Sequence, residues 1–210
     1  MGSGQIASRS ALSTDWSFDR GLPVDRYYIE RFLGTYSADI RGRVLEIAEN
    51  TYSRRFGGSK VERQDILSLG PDDAATIVGD LAEPGVLPAS AFDCIILTQT
   101  LHLIFDLQRA VEQLHRSLRP GGVLLLTVPG ITPIDRGEWK KSWHWSLTDS
   151  SLARLLSGPF EREKLELSVE GNLYAATAFL HGAAVEELSR RKLDAIDPAY
   201  PVTVAARAIA

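Results

Sequence analysis

Short apolar runs alternating with stretches of helical period constrain this chain more than any other feature, because each run is too short for a buried helix and suits a buried strand. RVLEIA (43–48), KVERQDI (60–66), ATIVGDL (75–81), FDCIILT (92–98) and VLLLTVPG (123–130) read as strands. After the fourth, Leu107, Val111, Leu114 and Leu118 recur at spacings of four, three and four, the face of a helix that Arg119-Pro120-Gly121-Gly122 stops. Before the first, Pro23 opens a helix whose Val24, Tyr28, Ile29, Phe32 and Leu33 share one side and which ends ahead of Gly42. The tail adds KLELSVEG, a helix through 183–188 and a last strand, VTVAARAIA. Strands joined through helices pair in parallel with right-handed crossovers. The expected fold is therefore α/β: a doubly wound, mostly parallel seven-stranded sheet with helices on both faces, Rossmann-like.

Composition narrows the function classes. The chain has 210 residues, 44% hydrophobic and 24% charged, enough for one domain with a sizeable core and not the makeup of a disordered or disulfide-built protein. Lys and Arg number 23 against 27 Asp and Glu, with no dense basic run, so neither nucleic acid nor an anionic membrane is expected as partner. Cys94 is alone and sits in an apolar run, which marks a buried small hydrophobe. MGSGQIASRS lacks the apolar stretch of a secretory signal, and VLLLTV is far below the ~18 residues that span a bilayer, so the expected location is cytoplasmic.

Ligands of an open parallel sheet bind beyond the carboxyl ends of its strands, where strand order reverses. Acids crowd those ends: Glu46 and Glu49 in EIAENTY, Asp65 beside Ile66, Asp80 in Gly79-Asp80-Leu81, and the polar pair Thr98-Gln99 before His102. Asp65 follows Glu46 by 19 residues, near the spacing of ~20 at which an acid accepts from ribose hydroxyls. Two readings of Asp65 stand at this point, that acceptor or a turn cap.

In order along 41–130, GRVLEIAENT, Asp65, GDL, FDCIILTQTLHLI and LRPGGVLLLTVPG resemble the motifs of class I S-adenosylmethionine-dependent methyltransferases. The resemblance implies S-adenosylmethionine as cofactor, with Asp65 on the ribose, Asp80 on the adenine, and Glu46 facing the loop amides or the methionine part. The family writes three glycines after its first acid. Here Ala48, Asn50 and Tyr52 stand in those places, so the loop is either reshaped or no longer binds cofactor. Ala48 costs little at negative φ, Asn50 tolerates a left-handed backbone, and Tyr52 brings bulk. Phosphate-binding nicotinamide enzymes need those glycines more, and Glu46 and Glu49 suit a sulfonium better than a pyrophosphate. The implied division is a single methyltransferase domain with an N-terminal arm and helix (1–40), a cofactor-binding core (41–130), an acceptor loop (131–150) and the C-terminal part of the sheet (151–210).

Methyl transfer to a hydroxyl needs a proton acceptor. His144, between Trp143 and Trp145, is the first choice, oriented by Asp135 or Glu138; the other reading packs it between the indoles. His102 is second, or else caps a turn. His115 is expected on an exposed helix face, and His181 has no acidic partner close in sequence. Trp139, Trp143 and Trp145 lie within seven residues, and indole faces suit sugar C–H faces. Core packing explains at least one of them.

RGLPVDRYYIERFL, GRVLEIAENTYSRRFGG, CIILTQTLHLIFD and SWHWS together resemble small bacterial sugar O-methyltransferases acting on methylmannose polysaccharide precursors. That resemblance implies a small carbohydrate acceptor, the 1-OH of an O-methylated mannoside, with Arg26, Tyr27, Tyr52, Trp139 and Trp143 in its site. Magnesium is admitted rather than required, as is a homodimer. The competing account is a non-catalytic module of the same fold whose altered glycine motif has ended cofactor use.

Overall fold

The computed structural model describes residues 9–210; the MGSG start lies outside the described residues. Seven strands form one sheet: β1 (Gly42–Ile47), β2 (Val61–Ser68), β3 (Ile77–Val78), β4 (Phe92–Thr98), β5 (Leu118–Pro129), β6 (Leu165–Glu170) and β7 (Thr203–Ile209). Their order is β3-β2-β1-β4-β5-β7-β6. β1 to β5 pair in parallel, while β7 runs antiparallel to both β5 and β6. Strand order reverses between β1 and β4, which places the crevice for a ligand there.

Helices α1 (Val24–Thr35), α2 (Leu107–Ser117), α3 (Asp149–Leu156), α4 (Leu173–Leu180) and α5 (Arg190–Leu193) complete the fold. Ile29, Phe32 and Leu33 of α1 pack with Val44, Cys94, Ile96 and Leu125 on one face of the sheet. Val111 and Leu114 of α2 and Leu152 and Leu156 of α3 pack with Leu45, Ile95, Leu97, Leu124 and Leu126 on the other. Successive strand residues thus enter opposite cores, which is why these strands read as unbroken apolar runs. Each fully buried Leu or Ile contributes roughly 1.5–3 kcal/mol. A third cluster joins Val24 and Tyr28 of α1 to Ala176 and Phe179 of α4, Leu193 of α5 and Val202, anchoring the first helix to the tail.

Several expectations change. The third strand shrinks from seven residues to Ile77–Val78: the Ala75 N–H closes a turn on Asp72 O, the Thr76 N–H bonds across to Ile66 O of β2, and Gly79 leaves the strand at φ +152°. Arg119-Pro120-Gly121-Gly122 ends α2 but already belongs to β5, where Gly121 takes φ +77°. Residues 183–188 form only a 3₁₀ turn at Val185–Glu187, and the helix lies earlier, at LYAATAFL, started by the Asn172 side chain accepting from Ala175 N at 2.9 Å. α3, unforeseen, begins at a reciprocal Thr148–Ser151 cap. His115 is half-buried, its ring edge-on to Phe160 at 4.8 Å. Among the described residues no helix is long and apolar enough to cross a membrane.

Candidate functional site

A cavity of about 1010 Å³ opens over the carboxyl ends of β1 to β4, large enough for a nucleoside and a second small molecule. Its floor is Ile47–Glu49, Leu67–Leu69, Gly79–Ala82 and Thr98–Thr100; its roof is Asp25, Arg26, Trp16 and Phe18; its far wall is His102–Asp106 with Glu138, Trp139, Ser142, Trp143 and His144. A smaller hollow of about 650 Å³ lies at the opposite strand ends, lined in part by residues tied up in the pairs Arg119–Asp93 and Arg207–Asp39.

The loop after β1 is reshaped rather than filled in. Ala48 takes φ +64°, not the negative angle that would have cost it little, and its N–H donates to Leu67 O at 2.9 Å. Glu46 stays beneath the floor, accepting from Tyr52 N at 3.1 Å and Ser53 N at 2.8 Å. Burial raises its pKa and those two amides pull it back. Tyr52 turns away from the cavity: its ring is 7% exposed among Ile29, Phe32 and Phe56, and its hydroxyl accepts from Arg26 Nη1 at 3.2 Å. Asn50 turns aside too, donating from Nδ2 to Gln64 Oε1 at 3.0 Å. Ala48 and Glu49 are left facing the cavity.

Asp65 is corrected outright. It is 1% exposed, three residues short of the end of β2, and outside the cavity. Its carboxylate accepts from Arg43 Nε at 2.7 Å and Nη2 at 3.2 Å, Arg63 Nη2 at 3.3 Å and Thr76 Oγ1 at 3.2 Å. Burial alone would raise its pKa, but the two guanidiniums overcome this and hold it below the ordinary carboxylate range. Ile66 beside it is core. The β2 tip offers Ser68 and Leu69 instead. Gly79, Asp80 and Leu81 do line the cavity, and Asp80 Oδ1 closes its turn by accepting from Ala82 N at 2.8 Å.

On the far side, His102 is 3% exposed, with its ring edge against Trp143 at 4.5 Å and burial lowering its pKa to about 4. His144 is exposed and rests on Phe105 at 5.4 Å. Asp135 does not orient it: that carboxylate caps a turn, accepting from Gly137 N at 2.8 Å and Trp139 N at 2.6 Å. Glu138, Trp139 and Trp143 line the cavity, and Trp143 lies parallel to Trp16 at 6.3 Å. Trp145 is a structural residue, packed on the core and donating from Nε1 to Ile104 O at 3.0 Å. Tyr27 lies outside the cavity, its hydroxyl on Asp194 at 2.5 Å. Arg26 lines it, with its guanidinium 5.8 Å from the Phe18 ring centre.

Two roof groups were not among the expected site residues. Asp25 has no motif to mark it; only the fold carries the first turn of α1 over the strand ends. Trp16 and Phe18 come from the segment ahead of α1. Gln99, at φ +47°, donates from Nε2 to Asp25 Oδ2 at 3.4 Å, while its Oε1, His102 Nδ1 and Trp143 Nε1 are buried without a partner. These three atoms on cavity-lining side chains are open to a water or a ligand. Five lining acids, Asp25, Glu49, Asp80, Asp106 and Glu138, face one lining arginine, Arg26, so a cationic ligand with donors and acceptors, such as a sulfonium nucleoside, fits. Among the described residues no three His, Cys, Asp or Glu side chains group as metal ligands, so magnesium gains no support.

A family model described as a methyltransferase domain matches residues 29–161. No curated protein matches the chain. Among solved structures, an S-adenosylmethionine-dependent methyltransferase from Mesorhizobium loti is 17% identical with a TM-score of 0.55, covering 89% of this chain and 98% of its own. N-methyltransferase NodS from Bradyrhizobium japonicum, in complex with S-adenosylhomocysteine, is 14% identical with a TM-score of 0.57, covering 98% and 94%. The [4+2]-cyclase SpnF is 14% identical with a TM-score of 0.56, covering 98% and 90%. At such identities the likeness establishes the fold alone, and the presence of a cyclase shows that this fold hosts more than one reaction.

Proposed function

Because this chain belongs to the methyltransferase-domain family and is an enzyme of the S-adenosylmethionine-dependent kind, we propose that it methylates a sugar hydroxyl, the 1-OH of an O-methylated mannoside. The observation that carries this reading is that one cavity joins a half over β1 to β3, lined by Glu49, Gly79 and Asp80, to an indole-walled half beyond β4. Asp80 and Glu49 suit the nucleoside, and the unpartnered Gln99 Oε1 accepts from whatever donor lies at the boundary. Bound S-adenosylmethionine supplies a methyl group carried on a sulfonium. Trp139 and Trp143 present flat apolar faces to a pyranose, while Glu138 and His144 hydrogen-bond its rim. Trp16 closes the roof over the same half and excludes water from it. The non-catalytic account loses its main support, since Tyr52, the bulky residue in the glycine motif, leaves the cavity open. A homodimer and a cytoplasmic site of action remain part of this proposal.

Labelled S-adenosylmethionine offered with a panel of mannosides and of small amines tests the reading. Label recovered on O-1 of a mannoside supports it. Label on an amine alone, or on none of the panel while S-adenosylhomocysteine still binds, overturns the acceptor class.

A further inference from the structure

A methyl group passed between the two halves of the cavity must cross the line between the β1 and β4 tips, so the proton it displaces is released there. Asp25 stands on that line. Its Oδ1 accepts from Arg26 N at 2.8 Å and its Oδ2 from Gln99 Nε2, at the tip of β4. Arg26, the next residue, reaches in the other direction to the Tyr52 hydroxyl, in the loop after β1. The first turn of α1 therefore bridges both sides of the strand-order reversal and aims one carboxylate at the crossing. Neither histidine is so placed. His144 is exposed at the rim against Phe105, and His102 is wedged edge-on against Trp143 beyond Thr100.

We propose that Asp25 is the catalytic proton acceptor, an assignment that rests on the methyltransferase reading above. The acceptor oxygen gains the methyl carbon, the electron pair of the broken carbon–sulfur bond stays with sulfur, and the O–H proton ends on Asp25. Burial raises the pKa of this carboxyl, with the Arg26 charge and the Arg26 and Gln99 N–H groups opposing, which makes it a stronger base than an exposed aspartate. Of the titratable or charged groups, Arg26 on its own helix and Tyr52 after β1 act on it directly, while Glu49 after β1, Asp80 after β3, His102 beyond β4 and Glu138 from the Trp-rich loop line the same cavity. Gln99 is then a positioning residue, holding the carboxylate over the crossing.

Binding and turnover test this separately. At neutral pH, Asp25→Asn is expected to weaken S-adenosylmethionine about tenfold, the loss of one nearby opposite charge. It should change affinity for the uncharged thioether S-adenosylhomocysteine less than about twofold. As pH falls through the carboxylate range, the wild-type preference for the sulfonium should fade, and in the variant it should be flat. With a mannoside that is turned over, Asp25→Asn should lower kcat by at least about a hundredfold, remove the acidic limb of the kcat/KM profile, and be rescued in part by Asp25→Glu. Equal loss of both ligands, or no selective loss of the sulfonium, overturns the assignment, as does wild-type kcat in the Asn variant. Selective loss without transfer to any mannoside keeps Asp25 at the reacting centre and rejects the sugar. A wild-type protein that binds neither ligand rejects the methyltransferase reading itself, and the Asp25 assignment with it.

Discussion

Replacing Asp65 by Asn separates a ribose ligand from a structural anion. The carboxylate is 1% exposed and takes a two-pronged bond from Arg43 with further donors from Arg63 and Thr76. Removing one partner of a fully buried pair costs roughly 3–5 kcal/mol. Arg43 and Arg63 keep 22% and 62% of their side-chain surface in water, and the Asn carbonyl still accepts one N–H, so about 2–3 kcal/mol is expected here. For a chain of this size that lowers Tm by roughly 4–12 °C. The pH dependence has a defined sign. The folded pKa lies below the unfolded one, so the contribution is complete above about pH 4 and fades as pH falls through the folded value. Urea denaturation of both proteins at pH 7 and pH 3 reads the gap, and calorimetry with S-adenosylhomocysteine at pH 7 should give the same affinity for both. A variant of wild-type stability that no longer binds the nucleoside would refute this account of Asp65 and restore the ribose role.

Ala48→Gly should stabilise the protein by about 0.5–1 kcal/mol. Relief of a left-handed alanine, about 1–2 kcal/mol, exceeds the extra entropy of an unfolded glycine, about 0.4–1 kcal/mol. A fall in Tm would mean that the loop does not hold that backbone angle. His102, at about 4 when folded against 6.5 in its ordinary state, contributes roughly 3 kcal/mol of stability that is complete above pH 6.5 and lost as pH falls toward 4. In denaturant titrations across that window His102→Gln should lack this loss, and an unchanged slope would show that the ring is not buried neutral. Cys94, fully buried with its thiol pKa pushed up by burial, should resist a maleimide in the native protein and react only on unfolding. Rapid native labelling would contradict that burial.

Much of the fold was legible because the signal was periodicity that the core enforces. FDCIILT is β4 residue for residue, and the Leu107–Leu114 spacing marks α2 because its helix buries one side only. LYAATAFL escaped because it is apolar nearly all round, packed between α1 and α5, and shows no period to read. The lining of the cavity was legible where a polar residue coincides with a strand tip, as at Asp80 and Gln99. It was misread at Asp65, where a plausible spacing fell on a strand that continues to Ser68. Asp25 carried no local mark at all. Its place depends on Tyr28, Ile29 and Phe32 docking α1 so that its first turn overhangs the sheet. The pairing of Trp16 with Trp143 is likewise a tertiary event between segments far apart in the sequence.

Isothermal calorimetry of the wild-type protein with S-adenosylhomocysteine tests the central claim most directly. One site per chain with micromolar affinity, about −8 kcal/mol, is the expected result. No heat and no rise in Tm at millimolar nucleoside would contradict it, because a cavity that is merely a fold remnant has no reason to hold an adenosine.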